Sequence, residues 1–378
     1  MSRVAAVDAR CLGRPGIGFY AVTRAIVDEL GADGWQLLLV TDKVEGARCL
    51  ARDYPAAEAV WLKKRTWLWW EQVQVARWLA DRRPDLWVAP ANYGVPLLRP
   101  RATKSLLVVH DLIPLLYPRT YLASRLPWAA MYITSLGISL FSADLVTAVS
   151  DSSARDVYRF SRRVAPVAHP PVPERLTEIP PSPLAGRRFV VFNGGFDSRK
   201  NVPQLLEAFA MFRQSPEGAE CFLVMMGDRE ELARSMLAEH GLEAASVATG
   251  YVEEGEKWAW LANACAVAYP SSYEGFGIVA AEAFAAGVPL VCGTGGALSY
   301  VAGSAAVFVD PAQPASIAEG LRNACNPAVR DCAVEAGYRQ LESLRLRSGG
   351  WAALARSLVR DERWEASPDI ARAETARG

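Results

Sequence analysis

The chain reads as an α/β protein made of two Rossmann-like, doubly wound domains. Three observations predict this. Short apolar runs alternate with longer amphipathic stretches almost from the first residue, the pattern of βαβ units and parallel sheets. The alternation breaks at a proline-rich segment, His169-Pro170-Pro171-Val172-Pro173 through Ile179-Pro180-Pro181-Ser182-Pro183, and then restarts. A length of 378 residues also exceeds what one ordinary hydrophobic core serves.

In the first half the apolar runs predict strands over Val4–Asp8, Gln36–Thr41, Leu86–Ala89, Ser105–His110 and Leu145–Val149. Helices are predicted between them over Gly18–Leu30, Thr66–Ala80, Leu122–Phe141 and Ser152–Phe160, the last opened by the capping series Ser150-Asp151-Ser152-Ser153. After the prolines come strand Arg188–Asn193, helix Val202–Phe212, strand Cys221–Met226, helix Glu230–Glu239 and a strand near Ser246–Gly250. Helix Glu256–Ala262, strand Ala266–Tyr269, helix Gly277–Ala286 and strand Pro289–Cys292 follow. The predicted domains are therefore 1–168 and 187–345, with a linker at 169–186. A helical pattern runs from about Pro327 to Arg360, and its end, near 346–362, is expected to pack back on the first domain. Residues 366–378 lack a hydrophobic period and are expected to fray.

Composition removes several function classes. With 51% hydrophobic and 22% charged residues the chain is globular. Lys plus Arg equals Asp plus Glu at 41 each, so the global footprint of a nucleic-acid binder is absent. Cys11, Cys49, Cys221, Cys265, Cys292, Cys325 and Cys332 form an odd set without a CxxC pair, which points to a reducing compartment and a cytoplasmic protein. The amino-terminal residues read as a strand, not a signal peptide, and no uninterrupted apolar run of about 18 residues predicts a membrane span. Three histidines, no Cys/His cluster and no DxD motif leave no metal site to expect.

The most informative stretch runs from Tyr269 through Pro289. A strand ends at Tyr269, a glycine-punctuated loop follows, and an alanine-rich helix opens near Gly277. Gly275 and Gly277 let a ligand approach the backbone, and the amides of Gly275, Phe276, Gly277 and Ile278 at a helix start suit a phosphate. Glu282 lies five residues further on, roughly 7–8 Å along the axis, the reach from a diphosphate to its ribose. A second stretch, Asn193-Gly194-Gly195-Phe196-Asp197-Ser198-Arg199-Lys200-Asn201, follows the first strand of the second half. There a Gly-Gly turn at Gly195 leads to two cations at a helix start, an unfavourable placement that a bound diphosphate would relieve.

The spacing of Glu274 and Glu282, framed by Glu274-Gly275-Phe276-Gly277 and closed by Ala286-Gly287-Val288-Pro289, resembles the retaining glycosyltransferases of family 4, which share the GT-B fold. That resemblance implies two domains facing across a cleft. It implies that Glu274 contacts the transferred sugar, that Glu282 holds the ribose, and that Arg199 and Lys200 grip the leaving diphosphate. Tyr251 and Val252, in Gly250-Tyr251-Val252-Glu253-Glu254, either line the nucleobase pocket or simply close a strand end. In the first half, Val108-Val109-His110-Asp111 resembles the family's His-Asp strand end. His110 would meet a sugar hydroxyl or developing charge, and Asp111 would fix the loop or orient the ring on the acceptor side. Gly16 and Gly18, in Arg14-Pro15-Gly16-Ile17-Gly18, match the glycine-rich first loop that approaches the donor.

No cofactor is implied beyond the substrate nucleotide sugar, GDP- or UDP-linked. The run His110-Asp111-Leu112-Ile113-Pro114 and the triplet Trp70-Glu71-Gln72 resemble bacterial polysaccharide mannosyltransferases, which makes GDP-mannose the first expectation and a saccharide or lipid-linked acceptor its partner. Residues 61–70, with four tryptophans and three cations, either pack on the sheet or touch the cytoplasmic membrane face. The competing readings are a GT-B epimerase or phosphorylase and a non-catalytic sugar-nucleotide-binding subunit.

Overall fold

The structure, a computed structural model, describes residues 3–13, 18–121, 123 and 126–362. Gly16 and the 366–378 tail lie outside the described residues. The chain divides into two compact units, one formed by residues up to Pro171 together with those from Arg347 onward, the other by Val172–Leu346.

The first unit holds a parallel six-stranded sheet of β1 (Val4–Asp8), β2 (Gln36–Thr41), β3 (Glu58–Trp61), β4 (Leu86–Ala89), β5 (Lys104–Val109) and β6 (Leu145–Ala148). Their order is β3-β2-β1-β4-β5-β6. The second unit repeats the design with β7 (Arg188–Asn193), β8 (Cys221–Met226), β9 (Ser246–Gly250), β10 (Ala266–Tyr269), β11 (Leu290–Cys292) and β12 (Ala306–Phe308), ordered β12-β11-β10-β7-β8-β9. Both are doubly wound Rossmann-like sheets. In each, the strand order reverses between the first and fourth strands, which opens a crevice at their carboxyl ends. That places β1 and β4, and separately β7 and β10, beside the natural ligand positions.

Burial on both faces explains the strand composition: Val190, Val191, Leu223, Val224 and Val267 are wholly buried, as continuous apolar runs require. On the first sheet one core gathers Trp70, Leu79, Trp87, Leu107, Leu136 and Val157. Each fully buried large side chain there contributes roughly 1.5–3 kcal/mol.

Three local outcomes differ from the sequence expectation. The proline-rich stretch is not a free linker over 169–186: beyond Pro171 it lies on the second unit, where Leu176 N donates to Ala285 O at 2.9 Å and Asn263 Nδ2 to Pro180 O at 2.8 Å. The terminal helical pattern splits into Pro327–Arg347 and Trp351–Val359 at Gly349 and Gly350, both at φ 93°. The second of these helices belongs to the first unit, burying Trp351 and taking Glu29 Oε2 onto Ala352 N at 3.1 Å. The helical stretch from Trp67 to Arg82 is continuous but carries a π-turn over Trp70–Val75.

Candidate active site

The second unit brings its conspicuous residues together at the switch point of its sheet. The chain leaves β7 at Asn193 and turns through Ser198–Lys200 into the helix Val202–Phe212. Asn201 makes that turn in the left-handed region at φ 51° and ties it to the loop after β10, donating to Pro270 O at 2.8 Å and Ser272 Oγ at 2.7 Å. Ser272 N in turn donates to Arg199 O at 2.7 Å. Two segments about seventy residues apart are thus welded edge to edge.

At the weld, three donors converge on a single oxygen. Arg199 Nη1 at 2.5 Å, Lys200 Nζ at 2.6 Å and Ser271 Oγ at 2.6 Å all donate to Glu274 Oε1. Lys200 also donates to the Tyr269 hydroxyl and lies 4.2 Å from the centre of that ring. Burial lowers the Lys200 ammonium to about 8, even though Glu274 beside it pulls the other way. Burial would raise Glu274, but Lys200 and Arg199 hold its carboxyl below the ordinary range. The cluster therefore brings two cations onto one carboxylate oxygen in a poorly solvated place, with Asp197 also near enough to act on Lys200.

Directly beyond Glu274 the backbone is shaped for close approach. Gly277 sits at φ 88° as the residue before helix Ile278–Ala285, and a Cβ there would come within 2.7 Å of Leu298 Cδ2. Gly296, at φ 65°, pairs with Glu274 so tightly that a Cβ would stand 2.2 Å from the Glu274 carbonyl oxygen. Phe276 is buried, Gly275 is buried, and Ile278 is half-buried at the helix start. A helix start of this kind is a general place for an anion, and Ala280 N closes the opening turn on Gly277 O at 3.0 Å.

One turn into that helix, Glu282 is buried and fixed by two donors, Asn193 Nδ2 to Oε2 at 3.2 Å and Lys257 Nζ to Oε1 at 2.9 Å. Burial raises its carboxyl, with Lys257 and Asn193 opposing. Lys257 also meets Glu254 at 2.9 Å, and it rides on helix Glu254–Ala262, immediately after Tyr251 and Val252. Tyr251 is exposed and Val252 half-buried. Gly195 is half-buried in the turn after β7. Sequence reading missed Lys257, Asn193 and Ser271 as members of this site. No local motif marks the Lys257–Glu282 pair, because it spans 25 residues and exists only in the fold.

In the first unit, His110 follows β5 and is buried. Its Nε2 is 2.7 Å from Pro90 O, its amide donates to Asn92 Oδ1 at 2.7 Å, and its carbonyl accepts from Ser153 Oγ at 2.6 Å. Burial lowers its imidazole to about 4. The ring is therefore neutral near pH 7, with Nε2 carrying the proton toward the carbonyl and Nδ1 left as an acceptor. Of the two roles expected of His110, a ring in this state suits the contact with a sugar hydroxyl, which Nδ1 can accept. Asp111 Oδ1 accepts from Ile113 N at 3.0 Å, a loop-fixing contact. Gly18 opens helix Gly18–Ala32 and is exposed. Ser150 caps its helix, accepting from Ser153 N at 3.1 Å.

A buried ionic network in this unit also went unread. Asp8, at the end of β1, accepts from Arg10, whose guanidinium lies 4.7 Å and 4.1 Å from the ring centres of Trp67 and Trp70 and 3.4 Å from Glu71 Oε1. Glu71 is wholly buried and takes Ser135 Oγ at 2.9 Å, while Gln72 Oε1 takes Leu97 N at 2.9 Å. The Trp70-Glu71-Gln72 triplet thus braces the carboxyl edge of the first sheet.

Comparison with known proteins follows the same division. Residues 18–174 match Glycosyltransferase Family 4 and residues 176–333 match Glycosyl transferases group 1. O-antigen chain mannosyltransferase B of Escherichia coli is 28% identical over 248 residues, 62% of this chain and 63% of that protein. MMP alpha-(1->4)-mannosyltransferase of Mycolicibacterium hassiacum is 35% identical over 104 residues, 28% of this chain and 25% of that protein. The chain thus spans less than two thirds of the length of these curated relatives. Sucrose-phosphate synthase from Thermosynechococcus elongatus superposes with a TM-score of 0.70 at 18% identity over all of both chains. WaaG, a glycosyltransferase involved in lipopolysaccharide biosynthesis, gives 0.70 at 15% identity over 94% of this chain and 99% of that one. At such identities these two establish the fold, which is GT-B. The two family matches, which together run from 18 to 333, place the chain among the glycosyltransferases of family 4.

Proposed function

We propose that the protein transfers a hexosyl group, with retention at the anomeric carbon, from a nucleotide sugar to a saccharide or lipid-linked saccharide in cell-surface polysaccharide biosynthesis. Mannose from GDP-mannose is the first assignment and UDP sugars the second. The names of the Escherichia coli and Mycolicibacterium hassiacum relatives support mannose. A structural neighbour from Anabaena, described in complex with UDP-glucose, keeps the second choice open.

One observation carries the reading: two cations and a glycine-flanked helix start share one carboxyl-edge corner with a fixed, buried Glu282. In this reading the diphosphate lies on the amides of 275–278 and on Arg199 and Lys200. The ribose hydroxyls donate to Glu282, whose two oxygens each have one donor and room for another. As the glycosidic bond breaks, negative charge grows on the leaving diphosphate, and donors already in place stabilise it without reorganising. The acceptor hydroxyl gives its proton to that departing phosphate, so the mechanism assigns no protein nucleophile. Glu274, held ionised by its three donors, orients the cations and faces the sugar end of the ligand. His110 accepts from a hydroxyl through Nδ1, and the mechanism asks no positive charge of it.

The test is a donor panel. Purified protein is incubated with GDP-mannose, UDP-glucose and their relatives, with and without a lipid-linked saccharide extract, and nucleoside diphosphate release is followed. Acceptor-stimulated release from one donor supports the assignment. Release that requires inorganic phosphate, or sugar isomerisation without an acceptor, overturns it.

A further inference from the structure

We infer that Cys265 is a modification site, a thiol that hydroperoxides oxidise and that Cys325 then captures as a disulfide. Three thiols gather at the amino edge of the second sheet, opposite the carboxyl edge that carries the candidate active site. Cys221 opens β8, Cys265 immediately precedes β10, and Cys325 ends helix Pro314–Cys325. Between the first two runs β7, which opens on Arg188. All three are free thiols; Cys221 and Cys325 are buried and Cys265 is half-buried.

Backbone contacts fix the group. Arg188 pairs in register with Cys221, and its Nη2 donates to Cys325 O at 3.2 Å. Cys265 N donates to Phe189 O at 2.8 Å, and its carbonyl accepts from Arg330 Nη1 at 2.9 Å. The Cys265 sulfur is the centre: the Cys221 and Cys325 thiols both donate to it, and the Arg188 guanidinium adds a third hydrogen bond. These contacts, the Cys221 thiol foremost, hold the Cys265 thiol below the ordinary cysteine range against its burial, while the two donor thiols are pushed up. An ionised, partly exposed sulfur beside a second thiol is the arrangement that reversible oxidation requires. Among the described residues no three His, Cys, Asp or Glu side chains are placed to hold a metal ion, so the trio points to redox chemistry.

Strand spacing selects the partner. Neighbouring strands lie about 4.8 Å apart, so Cys221 and Cys265, with β7 between them, have backbones roughly 9–10 Å apart. A disulfide needs Cα atoms within about 7 Å. Cys325 comes from a helix covering the sheet and is not bound by that spacing. In the first step the Cys265 thiolate attacks one peroxide oxygen, the O–O bond breaks, and the departing oxygen takes up the proton the thiol released. The product is a sulfenic acid. The Cys325 sulfur then attacks the Cys265 sulfur, the S–O bond breaks, and the hydroxyl leaves as water with the Cys325 proton. The two thiols lose two electrons and the hydroperoxide gains them. The disulfide joins the end of helix Pro314–Cys325 to the start of β10, the strand whose far end presents Tyr269 to Lys200.

The reduced full chain is titrated with hydrogen peroxide, quenched with an alkylating reagent, digested and mapped by mass spectrometry. A Cys265–Cys325 cross-link is expected at doses that leave the exposed Cys49 and Cys332 alkylatable, and dithiothreitol should reverse it. In Cys325→Ser the Cys265 sulfenic acid should persist and take dimedone about tenfold or more above wild type. Cys221→Ser should still form the cross-link and Cys265→Ser should not. An unchanged thermal melt of each reduced variant is the folding control, and the wild-type map stands without any variant. Oxidation of Cys49 and Cys332 before Cys265 overturns the inference, as does a Cys221–Cys265 link or the absence of dimedone label in folded Cys325→Ser.

Discussion

Replacing Lys257 with methionine removes the cation 2.9 Å from Glu282 Oε1 while keeping a side chain of similar length. Two unit charges about 4 Å apart interact by about 1 kcal/mol in water and about 4 kcal/mol at the effective dielectric of a protein surface. Glu282 is buried but the Lys257 side chain keeps 18% exposure and shares itself with Glu254, so the pair lies between those limits. A value of about 2 kcal/mol follows, which is about thirtyfold in affinity and within the range of one charge-assisted hydrogen bond. The assay is calorimetric titration with a nucleoside diphosphate and with its 2′,3′-dideoxy counterpart, at pH 8 and pH 6. The ribonucleotide should lose up to that factor and the dideoxynucleotide almost nothing.

The pH arm has a definite sign. Burial already raises the Glu282 carboxyl above its ordinary range, and the carboxylate that accepts ribose hydroxyls is lost as pH falls through that value. Without Lys257 the value rises further, so the ribonucleotide deficit should be greater at pH 6 than at pH 8. Equal losses for both nucleotides, or a deficit that grows with pH, would refute the reasoning.

Three further outcomes follow from the same geometry. Lys200 titrates at about 8, so kcat/KM should fall as pH rises through that value, well below the ordinary lysine range; Lys200→Arg should move the alkaline limb upward, and an unmoved limb would clear Lys200. Gly277→Ala forces a side chain into the left-handed region against Leu298, which should cost about 1–3 kcal/mol in denaturant unfolding and weaken diphosphate binding; a neutral result would mean the turn relaxes freely. Glu71→Ala leaves Arg10 short of one of its two buried carboxylates and should destabilise the first unit by about 3–5 kcal/mol without altering nucleotide affinity, which paired melting and titration experiments would separate.

The architecture was legible because parallel strands buried on both faces must be continuous apolar runs. Val4–Asp8, Gln36–Thr41, Cys221–Met226 and Ala266–Tyr269 announce themselves in that way. The edge strands Glu58–Trp61 and Ala306–Phe308 do not, because their residues stay half-buried or exposed and carry no such run. Helix Val44–Asp53 hides for the same reason, since Leu50 is its one buried residue. At the site, glycines and glutamates at fixed spacing mark a turn and a helix start, which are local features. The partners that set their charge state are not local. The cations at 199–200 meet Glu274 only once β7 and β10 lie side by side, and Lys257 reaches Glu282 from a different helix. The neutral state of His110 was equally unreadable, because burial imposes it against the pull of a carbonyl twenty residues away.

The central claim is that segments 193–201 and 269–283 of the second unit jointly hold the donor's diphosphate and ribose. Hydrogen–deuterium exchange with saturating GDP, and separately UDP, tests it most directly. Slowed exchange confined mainly to those two segments and the Tyr251–Lys257 stretch is predicted for the cognate nucleotide. Protection that falls elsewhere in the chain, or none with either nucleotide at concentrations that stabilise the protein, would contradict the account.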